Sequence, residues 1–463
     1  MAKHAAAHII DSPKFATRLA LHAADLRVSS SGAAAMGSFK WMCVLLLATA
    51  TTVTIAAPDV IYEWQDAFFS QTRALNYGHQ INARLLSILH LSQWEAVASN
   101  VAAGRPADDA AVAGFAGHHV LSYFIPQAQS AFFDGLLARQ VANLTTQQKD
   151  AAQNVALPIT AAIIVSREGD GNQLWSRYQP APANGPVGLY QFPPNQTYAQ
   201  YPQLGLSTRP WVVAQPDVLR FANLTQPYAI PSPTYLADLN RTRLYGGKDN
   251  ATTLRNPFQT DTAFIWLSST GTSTIIGIWN KAARQLLPSN TSVVDAARLL
   301  ALLNVASYDA QIAAFRQKYT YLIWRPITGI RQGGFDANWE PLAVTPAHPD
   351  YPSTHSVASG VAERVLARYF GGVNQTITVT AEDYPRIPTR TYRNLTAAAV
   401  ESAESRIYIG AHFPKAVYDG VDVGRAVADF VYDNFDKALA GKYGSAAAAP
   451  KAAPVTTAGR KLR

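Results

Sequence analysis

The stretch Asp350-Tyr351-Pro352-Ser353-Thr354-His355-Ser356 stands directly before a run in which apolar residues recur at helical spacing: Val357, Val361, Val365, Leu366 and Tyr369. Pro352 and Ser353 occupy the positions of a helix start, with Ser353 as the residue whose hydroxyl caps the first turn. A helix N-terminus offers free backbone N–H groups and the positive end of a dipole, so it can hold an anion. This start also carries a hydroxyl, Ser353, and a titratable ring, His355. Taken alone, such a tetrapeptide marks a capped surface helix more often than a site.

Two further stretches change that reading. Upstream runs Lys318-Tyr-Thr-Tyr-Leu-Ile-Trp324-Arg325-Pro326. A spacing of seven puts Lys318 and Arg325 on one side of a helix, about 10 Å apart along its axis, and Pro326 then ends that helix. Tyr319, Tyr321, Leu322, Ile323 and Trp324 crowd both cations. Cations held among aromatics and away from water need an anion to stay charged. Downstream, Ser405-Arg406-Ile407-Tyr408-Ile409-Gly410-Ala411-His412-Phe413-Pro414 adds a third cation and a second histidine about a glycine break, before a helix that begins near Pro414.

The three blocks in this order resemble the vanadium-dependent haloperoxidase and type 2 phosphatidic acid phosphatase superfamily. Its signature is Lys-x6-Arg-Pro, then Pro-Ser-x-His, then Ser-Arg-x5-His. Residues 82–96, 304–314 and 324–327 are similar to its soluble, haloperoxidase-like branch, and the likeness spans roughly residues 60–440. The resemblance implies that His412 bonds the central atom of a tetrahedral oxyanion. It further implies that Lys318, Arg325 and Arg406 neutralise the oxygens, and that Ser353 and the Thr354 backbone N–H donate to them. His355 would stand opposite as general acid/base.

Two reactions share such a site. In one, vanadate is a prosthetic group, and a halide is oxidised by hydrogen peroxide and passed to a small organic acceptor. In the other, a secreted acid phosphatase, His412 attacks a phosphomonoester and forms a phosphohistidine. His348, five positions before Ser353, is similar to the bromoperoxidase pattern, where chloroperoxidases carry an aromatic carbon ring; this favours bromide or iodide. The competing reading of His348 is a loop histidine before Pro349. Thr354 stands where haloperoxidases usually have glycine. Ala416 stands where the phosphatases often have aspartate, with Asp419 three positions on, which disfavours the phosphatase. A third reading is a non-catalytic secreted glycoprotein with a vestigial site. Intact Lys318, Arg325, Arg406, His355 and His412 argue against it.

Other candidates are weaker. Asp309 either orients a site group or satisfies buried polar partners. His118 and His119 are adjacent and face apart on a helix, so they read as surface residues. The turn at residues 167–171, with the single carboxylate Asp170, lacks the oxygen ligands of a calcium loop. His79 and His90 have no partners at ligand spacing.

Residues 1–57 read as a targeting region. From about Met36 they resemble a secretory signal, with Lys40, an apolar core from Trp41 and small residues up to Ala57; a signal anchor or organelle targeting is the rival. Eight asparagines, at 143, 195, 223, 240, 250, 290, 374 and 394, lie in Asn-x-Ser/Thr, against about three expected by chance. Secretion to the exterior or cell wall, with N-glycosylation, is therefore expected. The lone Cys43 falls in the signal, so stability must come from a large core.

The formal charge of +8 is confined to the ends: five bases and two acids precede residue 58, and five bases with no acid follow residue 437. The neutral body gives no support to nucleic-acid binding. The basic tail at 441–463 reads as disordered. Between the ends, helical periodicity predicts an all-α domain over 58–440, made of packed helical bundles and carrying a loop-rich insertion at 172–260. No multi-pass membrane insertion is expected. The oligomeric state is left open, a homodimer among the options.

Overall fold

The computed structural model describes residues 59–173, 178, 180–182 and 185–444. The expected signal segment with Cys43, and the basic tail beyond residue 444, lie outside them. The protein is all-α. Its first helices are α1 (Asp59–Ala74), α2 (His79–Ala102), α3 (Asp109–Phe124), α4 (Asp134–Gln140) and α5 (Thr146–Glu168). Then come α6 (Pro202–Leu206), α7 (Gln215–Ala222), α8 (Pro233–Gly246), α9 (Pro257–Ile265), α10 (Thr274–Leu286) and α11 (Val293–Tyr321). The last are α12 (Pro326–Gln332), α13 (Thr354–Tyr369), α14 (Leu395–Tyr408) and α15 (Pro414–Leu439). One antiparallel pair, β1 (Ile377–Val379) with β2 (Arg390–Tyr392), interrupts them. Among the described residues no helix is long and apolar enough to cross a membrane.

Local chemistry explains where the helices start. Asp108, Ser232, Ser292, Ser353 and Asn394 each cap a first turn through the side chain, and Thr145 and Asn256 complete capping boxes with Gln148 and Gln259. Proline stands in the first turn of α6 to α9, α12 and α15, where its missing N–H costs nothing. This explains why residues 172–260 read as irregular although they contain α6, α7 and α8. Their helices are short, so little periodicity accumulates, and the prolines that look like breakers are starters. The β1–β2 pair is equally silent, since three residues per strand are too few to show alternation.

One expectation is corrected. Lys318 and Arg325 do not share a helix. Leu322 adopts the left-handed conformation (φ 52°) and ends α11, its N–H still bonded to Lys318 O. Pro326 opens α12 rather than ending the earlier helix. The turn, not helical periodicity, brings the two cations together.

Helix α11 is buried nearly all round and packs against α2, α13, α15, α6, α7 and α10. Two of the buried polar residues inside it, Asn304 and Asp309, are paired to neighbouring segments. Asn304 bonds Asn280, His90 and the Leu300 carbonyl, and Asp309 accepts the backbone N–H groups of Trp211, Val212 and Val213 at 2.7–3.0 Å. Asp309 therefore fastens the loop before α7 to the core instead of orienting a site group. Asp170 is bonded by Arg84 and lies 3.8 Å from Arg167.

Helices α13 and α15 approach so closely that glycine is required on both. A Cβ at Gly360 would lie 2.2 Å from Val421 O, and one at Gly424 2.2 Å from Val357 O. This contact delivers the start of α13 to the segment before α15.

A second clamp holds the amino-terminal side. Glu382 accepts from Ser273 N (2.8 Å) and Arg73 Nη2 (2.9 Å), and also from the Ser273 hydroxyl and Lys281. Burial pushes its pKa up, but the bonds from Lys281, Ser273 and Arg73 outweigh burial and bring it down to about 2. A depressed carboxylate stabilises the fold above its unfolded pKa, and that stability is lost as pH falls from about 4.5 towards 2. Allowing for its partly exposed partners, Glu382→Gln is expected to cost about 1–2 kcal/mol at pH 7 and to flatten the acid limb of a thermal-stability profile. A profile parallel to that of the wild type would overturn this.

Candidate active site

The site is assembled where the C-terminal end of α11, the start of α12, the start of α13 and the turn between α14 and α15 meet. Gly410, in the left-handed region (φ 74°), lets that turn reverse, and a Cβ there would lie 2.5 Å from Gly246 O. The reversal carries Ala411 and His412 back under Arg325. The Arg325 side chain is completely buried. Its Nε donates to His348 O at 2.7 Å and its Nη1 to Ala411 O at 2.8 Å, with His412 Nε2 3.0 Å from Nη1 and His348 Nδ1 3.0 Å from Nη2. Lys318, equally buried, donates to the carbonyls of Pro349 (2.8 Å) and Asp350 (2.9 Å).

Arg406 is 3% exposed; its Nε has no hydrogen-bond partner, and its Nη1 reaches only Leu267 O at 3.5 Å. His355 Nε2 lies 3.3 Å from the same carbonyl. A carbonyl only accepts, so Nε2 carries the proton and Nδ1 the lone pair. Ser353 caps α13, its Oγ accepting from Ser356 N, and its own N–H donates to Ala416 O at 2.8 Å. The first amides of α13, beginning with Thr354, have no partner inside the helix.

The structure thus brings Lys318, Arg325, His348, Ser353, Thr354, His355, Arg406 and His412 into one buried cluster. His348 lies in the loop before Pro349, yet it is buried: it is 1% exposed, tied to Arg325 and packed 5.3 Å from the ring of Phe315. Thr354 turns its hydroxyl aside, to His79 Nε2 at 3.0 Å.

His79 itself corrects the sequence reading. It has close partners, including His355, whose ring meets it edge-on at 5.1 Å. Its only sequence signal is its place at the start of α2, just ahead of the residues that resemble the soluble branch. Asp350, which no motif position marks, also belongs to the cluster. Its Oδ1 lies 2.8 Å from His412 Nδ1 and 4.0 Å from Arg325 Nη1. Asp419 instead bonds Tyr351 OH and pairs with Lys415 at 2.9 Å. His118, half-buried, bonds Asp134, and His119 bonds Thr160, so neither is a free surface residue.

Three buried cations face one carboxylate, and the electrostatics follow. Burial and then the Arg325 charge lower the pKa of Arg406 to about 9 and push Lys318 well below its usual range. Burial, reinforced by the cations, holds His348, His355 and His412 neutral, and brings His79 down to about 3. Burial raises Asp350 to about 7 against the pull of Arg325 and Lys318. An anion placed among the three cations restores the balance.

Among the described residues no group of three or more His, Cys, Asp or Glu side chains is arranged to hold a metal cation. The donors here are cationic and neutral-imidazole, and the unpartnered Arg406 Nε is the group an oxyanion would satisfy. The residues present therefore fit a tetrahedral oxyanion such as vanadate.

A family model, the VCPO second helical-bundle domain, matches residues 298–441, which contain all three blocks of the site. This match, together with the likeness to known relatives, supports the vanadium haloperoxidase-like superfamily. Within it, the vanadium chloroperoxidase of Curvularia inaequalis is 25% identical over 309 residues, an alignment covering 50% of this chain and 48% of that protein. The chain thus spans about half the length of the curated relative it matches. A bacterial vanadium-dependent iodoperoxidase shares the superfamily fold with a TM-score of 0.72 at 20% identity, over 82% of this chain and 96% of that one. A holo bacterial vanadium-dependent chloroperoxidase does so with a TM-score of 0.60 at 16% identity, over 78% and 93%.

Proposed function

We propose that the protein is a vanadium-dependent haloperoxidase that oxidises bromide or iodide with hydrogen peroxide and passes the oxidised halogen to a small organic acceptor. The observation that carries this reading is the convergence of Lys318, Arg325 and Arg406 on the neutral imidazole of His412, with Arg406 Nε lacking any protein partner. Vanadate, when bound, supplies the Lewis-acidic centre that activates peroxide. The chain's part is to hold the oxyanion through three cations, Ser353 and the first amides of α13, and to offer it the His412 nitrogen. His355, kept neutral, takes a proton at Nδ1 from the incoming peroxide. His348, buried beside Arg325, places a polar ring where a halide would approach.

The test is an assay of the purified protein with and without added vanadate, for peroxide-dependent bromination and iodination and for phosphomonoester hydrolysis. Halogenation that appears only with vanadate supports the proposal; hydrolysis alone would establish the phosphatase instead. His355→Ala is expected to leave vanadate affinity intact and to slow turnover by about 10²–10⁴-fold. A variant of normal rate would remove His355 as the acid/base.

The location proposed is extracellular. All the sequon asparagines are exposed except Asn394, which is half-buried and caps α14. A mass unchanged by glycosidase in the secreted protein would count against it.

A further inference from the structure

Asp350 is placed to do more than balance charge. Its carboxylate lies 2.8 Å from His412 Nδ1, with Asp350 1% and His412 2% exposed. The backbone of Asp350 is held on both sides: its N–H donates to Ile323 O at 2.9 Å, and its carbonyl accepts from Lys318 Nζ at 2.9 Å. The carboxylate is thus fixed relative to both cation-bearing segments. A carboxylate facing Nδ1 selects the tautomer with the proton on Nδ1 and the lone pair on Nε2. Arg325 Nη1 lies beside both ring nitrogens, 3.0 Å from Nε2 and 3.3 Å from Nδ1, so it is the Asp350 carboxylate, near Nδ1 alone, that tells the two apart.

We propose that Asp350 is the positioning residue for His412, accepting its Nδ1–H so that the Nε2 lone pair is aimed at the central atom of the bound oxyanion. This rests on the reading of His412 as the residue that bonds that atom. The sequence places an aspartate three residues before the cap of α13, whereas Ala416 occupies the position from which phosphatases of this superfamily often supply one.

Charge alone predicts the opposite effect of removing Asp350. A carboxylate near an anion repels it, so its loss should tighten the binding of every oxyanion. Positioning predicts a split instead. Vanadate, which forms a bond to the imidazole, loses affinity, while phosphate, held at equilibrium by charge and hydrogen bonds, does not.

The experiment is calorimetric titration of vanadate and of inorganic phosphate into the full chain and its variants. Asp350→Ala is expected to weaken vanadate by about 10–100-fold and to leave phosphate unchanged or tighter. Asp350→Asn should recover most of the loss, since an amide oxygen also accepts from Nδ1–H. Asp350→Ala in the His412→Ala background should add no further weakening of vanadate.

Parallel shifts for both oxyanions, or tighter vanadate, overturn the proposal. If His412→Ala leaves vanadate affinity unchanged, the reading of the site falls with it. If His412→Ala weakens vanadate and Asp350→Ala does not, the positioning role alone is lost. Nitrogen-15 shifts of His412 in the unsubstituted protein decide the matter even if a variant does not fold: protonated Nδ1 supports the role, and protonated Nε2 refutes it.

Discussion

Replacing His412 by alanine is expected to weaken vanadate binding by more than about 100-fold, which corresponds to more than ~2.7 kcal/mol. The variant removes the neutral imidazole that stands 3.0 Å from Arg325 Nη1. Lys318, Arg325 and Arg406 remain, so residual electrostatic affinity persists and phosphate binding changes far less. Peroxide-dependent halogenation should fall with vanadate occupancy and should not be rescued by raising peroxide.

His412 is buried and hydrogen-bonded to Asp350, so its loss also strands a buried carboxylate and costs about 1–3 kcal/mol of stability. Thermal denaturation alongside calorimetric titration separates the two effects. An unchanged vanadate affinity in a folded variant would remove His412 as the bonding residue.

The second large effect is expected far from the chemistry. Gly424→Ala places a Cβ 2.2 Å from Val357 O and 3.0 Å from Val361 N. These are backbone atoms of α13 and cannot rotate away, so the helices must separate. Such overpacking costs about 1–3 kcal/mol, and the melting temperature should drop by roughly 2–4 °C for each kcal/mol.

Catalysis should suffer as well, because α13 begins with the cap of the site and Ser353 N–H is bonded to Ala416 O on α15. Separation would pull Ser353 and His355 away from His412 and weaken vanadate binding together with turnover. Gly135 in α4 is the control: a Cβ there meets nothing within 4 Å, so Gly135→Ala should be neutral or stabilising by up to about 1 kcal/mol. Equal melting temperatures for the two variants would show that α13 and α15 accommodate the added methyl.

The sequence by itself determined the helical class, the cap at Ser353, and the set of cations and histidines that meet in the site. These are encoded locally: by periodicity over long helices such as α11 and α13, by capping chemistry, and by motif spacing that a superfamily shares. Other features depend on contacts between distant segments, and only the tertiary structure decided them. Lys318 and Arg325 converge because Leu322 turns left-handed, not because they lie two helical turns apart. Asp350 reaches His412 across 62 positions of chain, and Thr354 reaches His79 across 275. Spacing along the chain carries no information about such pairs. Their partners are chosen by how closely helices can approach, and here glycines 360 and 424 set that approach. Periodicity reports which face of one helix is apolar; the geometry of a buried anion site is a property of several helices packed at once.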